Sequence, residues 1–167
     1  GLLRPTQGKI LFNGNDIKNM TVAQISKYIG LVFQNPNDQI FKNKVIEEVM
    51  FGPLNIGMSE QEARRHSKQA LAMVGLQHSE EENPYDMGLS ERKLIAIASI
   101  LAMDTDVVIF DEPTIAQDYK AKEKIKEIIR TLKSEGKMVL TIIHDMDFVA
   151  ECFERTIVFA QGSVLLD

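Results

Sequence analysis

A chain of 167 residues, 44% hydrophobic and 26% charged, is long enough to bury a core and lies in the ordinary globular range, which excludes disordered and fibrous classes. Its formal net charge of -5 argues against a nucleic-acid partner held through phosphate neutralisation. The single cysteine, Cys152, excludes an internal disulfide and fits a reducing cytoplasm. The apolar run through residues 94–103 stops well short of the roughly 20 residues a bilayer span needs, and no signal peptide is legible.

In chain order, KILFNGNDI (residues 9–17) is predicted as a strand running into an Asn-Gly turn, the strongest short hairpin signal. Thr21 is placed to cap a short helix extending to Lys27, and YIGLVF (28–33) reads as a strand apolar enough to be buried. VIEEVMFGPLNIGM (45–58) is helical and predicted to break at Gly52-Pro53. Ser59 caps a helix whose inward face is Ala63, Ser67, Ala70, Leu71 and Val74, with Gly75 as its stop. SERKLIAIASILAMD (90–104) is a third helix, apolar nearly all round and so buried. DVVIF (106–110) is a strand, and residues 119–135 form an amphipathic helix with Ala121, Ile125, Ile128, Ile129 and Leu132 inward, ended by Gly136. KMVLTII is a strand, DMDFVAECF a helix, and RTIVFAQGSVLL a hairpin about Gln161-Gly162. Apolar strands separated by helices indicate a parallel sheet covered on both faces. The helical block from about residue 37 to residue 100 reads as an insertion, which divides the chain into a core of residues 1–36 and 101–167 and a helical subdomain of residues 37–100.

In open α/β sheets ligands bind beyond the carboxyl ends of the strands. Three predicted strand ends carry polar groups: Gln34 after LVF, Asp111-Glu112 after VVIF, and His144-Asp145 after LTII. An amide, two carboxylates and an imidazole on one rim can hold Mg²⁺, position a water and take its proton. Asp111 suits the hard cation; Glu112, one residue on and turned differently, suits the base. The purely structural alternative is that Asp111-Glu112 caps the next helix, with Pro113 locking the turn, and that His144 is an ordinary structural histidine. Capping explains neither Gln34 nor His144. His66 and His78, in the helical block, read as surface residues.

These segments, in this order and spacing, resemble the ATPase cassettes of ABC transporters over essentially the whole chain. VVIFDEP resembles their Walker B strand, TIAQD the D-loop, LVFQNP the Q-loop and LTIIHDMDFV the switch-histidine segment. QNPNDQIF followed by VIEEVMFGPLNIG is closer still to the ATPase subunits of energy-coupling-factor importers, which take up vitamins and metal ions. The resemblance implies a RecA-like P-loop NTPase core, α/β with a mainly parallel sheet, helices on both faces and an inserted α-helical subdomain. It implies ATP and Mg²⁺ as cofactors and an ATPase that powers import. Gln34 would contact Mg²⁺ and signal to a transmembrane partner, and Asp111 would hold Mg²⁺ through its water shell. Glu112 would polarise the attacking water, His144 would contact the γ-phosphate, and Asp118 would link sites across a dimer. The implied partners are a second ABC ATPase subunit, equal or different, and a transmembrane coupling subunit docked on the Gln34 loop and the helical subdomain. The implied place is the cytoplasmic face of the cell membrane, as a peripheral protein.

The chain departs from that pattern twice. Aligned without gaps, Met87-Gly88-Leu89-Ser90-Glu91 stands where the family has its Leu-Ser-Gly-Gly-Gln signature, so Gly88 replaces a serine and Ser90 a glycine. The serine normally bonds a γ-phosphate oxygen and the glycine lets backbone N–H approach, so weakened phosphate contact is expected. The alternative is that GLSE is only a helix start with Ser90 as its cap. Second, the phosphate-cradling Gly-x-x-x-x-Gly-Lys-Ser/Thr loop is missing: Gly8-Lys9 is followed by Ile10 and Gly136-Lys137 by Met138, neither with the upstream glycine. The opening GLLRPTQGKI lacks a methionine and resembles the stretch just past that loop's helix, so the expectation is either a piece of a longer ATPase or a degenerate one, inactive when alone. Two other readings stay open: a non-catalytic pairing or regulatory subunit of the same fold, and a soluble ABC protein unrelated to transport.

Overall fold

The computed structural model describes residue 3 and residues 5–166. Gly1, Leu2, Arg4 and Asp167 lie outside the described residues, and with them part of the opening stretch read as following a phosphate-binding helix. Strands β1 (Leu11–Phe12) and β2 (Asn15–Asp16) pair antiparallel around Asn13-Gly14. Both turn residues take positive φ, 48° and 79°, as a two-residue hairpin demands. Helix α1 (Val22–Ile25) is one turn long, fixed by reciprocal bonds between Thr21 and Gln24. It ends two residues before the expected Lys27, because Tyr28 N turns back to Ile25 O and the chain enters the sheet.

The central sheet is parallel, in the order β3 (Ile29–Val32), β4 (Val107–Asp111), β5 (Met138–Ile142). Ile29 stands beside Val107 and Val107 beside Met138, so residues of one parity share a face across all three strands. One face presents Val32, Val108 and Phe110, fully buried under α4 (Leu89–Leu101) and α5 (Tyr119–Ser134). The other presents Leu31, Met138, Leu140 and Ile142, each 41–61% exposed. The cover expected on both faces is therefore found on one face among the described residues. No described helix lies on the opposite side, and its apolar side chains remain in contact with solvent.

Between β3 and β4 the chain builds α2 (Val45–Asn55), α3 (Glu60–Val74) and α4, which pack on one another through Val45, Val49, Leu71, Ile95 and Ile97. The break expected at Gly52-Pro53 is absent: α2 continues to Asn55. Pro53 falls in the last turn, so the backbone bond it forfeits is one of the last the helix would make. Gly52 serves packing instead, since a Cβ there would lie 2.8 Å from Met103 Cγ and Sδ. Helix α3 starts on Ser59, buries the five predicted residues and ends on left-handed Gly75 (φ 82°). Helix α5 likewise buries the predicted Ala121, Ile125, Ile128, Ile129 and Leu132. Helix α6 (Met146–Cys152) and the hairpin of β6 (Val158–Ala160) and β7 (Ser163–Leu166), turning at Gln161-Gly162, complete the chain.

Candidate functional site

Strands β4 and β5 end side by side, Asp111 in register with Ile142. Glu112 follows with its N–H donated to Ile142 O at 2.9 Å. Its φ of 44° is left-handed, which costs a non-glycine residue about 1–2 kcal/mol. That bond and the buried Pro113-Thr114 behind it hold the strained turn. The turn sends the carboxylate to the end of β5, where Glu112 Oε1 lies 2.9 Å from His144 Nδ1. The glutamate side chain is 17% exposed and the histidine 72%, so a largely enclosed carboxylate orients an accessible imidazole. Glu112 Oε2 is a buried acceptor with no partner in the protein. The structural alternative that Asp111-Glu112 only caps the next helix does not hold: Asp118 caps α5, accepting from Ala121 N at 2.8 Å.

Gln34 is exposed just past β3 and lines a groove of about 220 Å³ with Leu89, Lys93, Ala116 and Gln117. Three of the predicted segments, the Gln34 turn, the start of α4 and the loop before Asp118, thus meet in one groove. Lys93, on α4 and 1% exposed, donates to Phe33 O and Gln34 O, both at 2.8 Å. Burial pushes its ammonium down to about 8, while the carboxylates of Asp111 and Glu112 pull it back up, so those two acids lie within its field. Sequence reasoning missed Lys93, which reads only as the last of three consecutive charges, Glu91, Arg92 and Lys93, in the first turns of the helix. Ala116 takes a left-handed φ of 56°, and the Oε1 atom of its neighbour Gln117 is buried without a partner.

At the start of α4 the structure corrects one alternative. Ser90 does not cap the helix; Gly88 is the N-cap and Leu89 the first helical residue. Gly88 N donates to Glu91 Oε2 at 2.9 Å, which is half of a capping box, and a glycine has no side chain to supply the other half. Leu89 is exposed into the groove, and Ser90 sits within the first turn, half-buried.

The oxygens of Gln34, Asp111 and Glu112 are the donors a hard cation prefers, and Glu112 Oε2 is an unpartnered one. Among the described residues no group of three or more His, Cys, Asp or Glu side chains could hold a metal ion. The chemistry of these oxygens suits a hard cation such as Mg²⁺ whose remaining positions water would fill.

The family model described as ABC transporter matches residues 1–115. An ABC-transporter-type ATP-binding protein of Methanosarcina acetivorans is 42% identical over 100% of this chain and 27% of its own length. The energy-coupling factor transporter ATP-binding protein EcfA of Methanocaldococcus jannaschii is 38% identical over 99% of this chain and 60% of its own length. Among solved structures, CbiO1 of Clostridium perfringens, described as part of the ABC transporter complex CbiONQ, superposes with a TM-score of 0.87. It is 31% identical, over 99% of this chain and 67% of its own. The dimeric ATP-binding cassette MJ0796, in a post-hydrolysis state with ADP and Pi, gives a TM-score of 0.86 at 27% identity, over 99% of this chain and 74% of its own. The fold is that of these cassettes, an α/β RecA-like core. The chain spans between 27% and 63% of the length of the curated relatives it matches.

Proposed function

From the premise that this chain belongs to the ABC transporter family of ATP-binding proteins, we propose that it carries the hydrolytic half of an ATPase site powering an importer of the energy-coupling-factor type, for a metal ion or a vitamin. The observation that carries the reading is the 2.9 Å contact between Glu112 and His144 at the ends of adjacent parallel strands, with Asp111 beside it. In this reading Glu112 takes the proton of the attacking water, with its unpartnered Oε2 as the acceptor, and His144 supports the γ-phosphate and that water. Asp111 and Gln34 hold Mg²⁺, which when bound neutralises phosphate charge. Gly88, Leu89, Ser90 and Glu91 face the phosphates of a partner's nucleotide, and Asp118 lies at the joint between the two subunits.

The division into residues 1–36 with 101–167 and residues 37–100 follows the same reading, the second part being the one a membrane subunit docks on. Phe41 and Phe51, T-shaped at 4.6 Å, remain 52% and 39% exposed beyond the Gln34 turn, with the Lys42 ammonium over both rings. An exposed aromatic pair of this kind suits a helical segment of the transmembrane coupling subunit. No described helix is long and apolar enough to cross a membrane. The place that goes with the importer reading is peripheral, on the cytoplasmic face. A second reading, a pairing subunit with a weakened site, is favoured by the exchange of serine and glycine at Gly88 and Ser90.

The test is Glu112→Gln in the full-length protein assembled with its ATPase partner. Hydrolysis is expected to fall by about 10²–10⁴-fold while ATP binding persists. An unchanged rate would remove Glu112 from the chemistry and leave the pairing reading in its place.

A further inference from the structure

We propose that Lys93 is a positioning residue for Gln34: its buried ammonium pins the backbone of the Gln34 turn to α4, so that turn and helix move as one body. The inference rests on the reading of Gln34 as part of the ATPase site, and adds a residue that reading does not use.

When the chain leaves β3 after Val32, the carbonyls of Phe33 and Gln34 lose their ladder partners and need donors. Water would serve, since both residues are exposed. Instead an ammonium from α4, 60 and 59 positions along the chain, takes both carbonyls at 2.8 Å. Burying an ammonium is a costly way to satisfy two surface carbonyls. What it secures is a fixed geometry between α4 and the turn.

Four further bonds act in the same sense. Gln39 Oε1 accepts from Phe33 N at 2.9 Å while its Nε2 donates to Ala96 O at 2.8 Å and to Ser99 Oγ at 3.1 Å. Arg92 Nη1 donates to Asn37 Oδ1 at 2.9 Å. Residues 92, 93, 96 and 99 recur at helical spacing, so one stripe of α4 holds residues 33–39. The pair Glu112 and His144 belongs to β4 and β5, which move with the sheet. Gln34 itself lies two residues beyond β3, so a displacement of α4 against the sheet would pull on the Gln34 turn through Lys93, the tie between helix and turn.

The experiment is hydrogen exchange on the full-length protein, comparing Lys93→Met with the natural chain, together with steady-state ATPase kinetics in the assembled dimer. The expected result is exchange at residues 33–39 faster by roughly 10- to 100-fold, with residues 107–111 still protected. Turnover is expected to fall about tenfold with KM for ATP changed by less than about twofold, because Lys93 positions rather than binds. Lys93→Arg, which keeps charge and donors, should recover part of the protection. If Lys93→Met loosens the whole fold, Gln39→Leu cuts the second fastener and should loosen the same residues with Lys93 in place. Unchanged exchange at 33–39 in either folded variant overturns the proposal, as does lost turnover without loosened exchange. Exchange needs no activity: if Glu112→Gln were fully active yet Lys93→Met freed the turn, the ATPase reading would fall and the latch would stand.

Discussion

Replacing Gly88 with serine tests the start of α4 and its phosphate role together. Gly88 has φ -65° and ψ 161°, a conformation open to any residue, and a Cβ added there meets only Glu91 Oε2 at 3.4 Å. Half of a capping box exists already, Gly88 N to Glu91 Oε2 at 2.9 Å. A serine hydroxyl would accept from Glu91 N and close it. Serine over glycine at an N-cap is worth a few tenths of a kcal/mol, and losing glycine's freedom in the unfolded chain adds about 0.4–1 kcal/mol. A gain of about 1 kcal/mol raises Tm by roughly 2–4 °C in a chain of this size. Calorimetric melting of Gly88→Ser beside Gly88→Ala isolates the hydroxyl, since alanine caps poorly. A serine variant melting no higher than the alanine variant would refute the capping geometry. In the assembled dimer the new hydroxyl should also speed ATP turnover; an unchanged rate would refute the claim that the exchanged residues weaken phosphate contact.

Gly30→Ala would place a Cβ 2.4 Å from Ile100 Cγ2 and 3.1 Å from Thr105 Oγ1, between β3 and α4, and should cost about 1–3 kcal/mol, read as a lower urea midpoint. An unchanged midpoint would mean that α4 slides freely on the sheet. The Lys122 ammonium, 2.8 Å away, holds the Asp145 carboxyl below its ordinary range, helped by the Phe148 N–H it accepts. A carboxyl pKa lowered by folding adds stability above the unfolded value of 3.8, lost as pH falls through the folded one. Lys122→Met should thus lower stability at pH 7, and by less once Asp145 is protonated, as urea melts at both pH values would show. Phe41→Ser should cost about 1–2 kcal/mol through the half-buried ring and its stack on Phe51, leaving the protein folded, yet weaken co-purification of the membrane subunit. Retained co-purification would move docking elsewhere.

The inward faces of α3 and α5 were legible residue by residue, because a one-sided apolar stripe at helical spacing has only one way to be buried. The strand-end polar groups were legible too, since Asp and Glu after four apolar residues need a purpose. What the sequence hid were features decided by contacts far along the chain. Gly52-Pro53 reads as a breaker, yet Gly52 answers to Met103, some fifty residues away. Lys93 reads as one of a run of three charges at a helix start, and its partners are carbonyls near residue 33. The cap of α4 shifted from Ser90 to Gly88 because Glu91 bonds back to the Gly88 N–H, a choice that residue preference alone inverts.

On the ATPase reading, Glu112 and His144 need a phosphate cradle beside them, and the two Gly-Lys pairs of the chain can be weighed for that task. Gly136 ends α5 in a left-handed conformation, φ 79°, and Lys137 gives its ammonium to Asp104 at 2.6 Å and Thr105 O at 3.0 Å. That pair is committed to joining α5 to β5. Gly8-Lys9 precedes the β1–β2 hairpin and begins no helix, so it lacks the N-terminal dipole and converging N–H groups a phosphate needs. The sheet meanwhile bares Leu31, Leu140 and Ile142 on the face opposite α4 and α5, apolar surface of the kind a helix covers. On the ATPase reading, neither Gly-Lys pair of residues 1–167 supplies the phosphate cradle, and that apolar face is left for another partner. The chain alone should then bind ATP only weakly, and micromolar binding in calorimetry would require a cradle among residues that are here committed to structure.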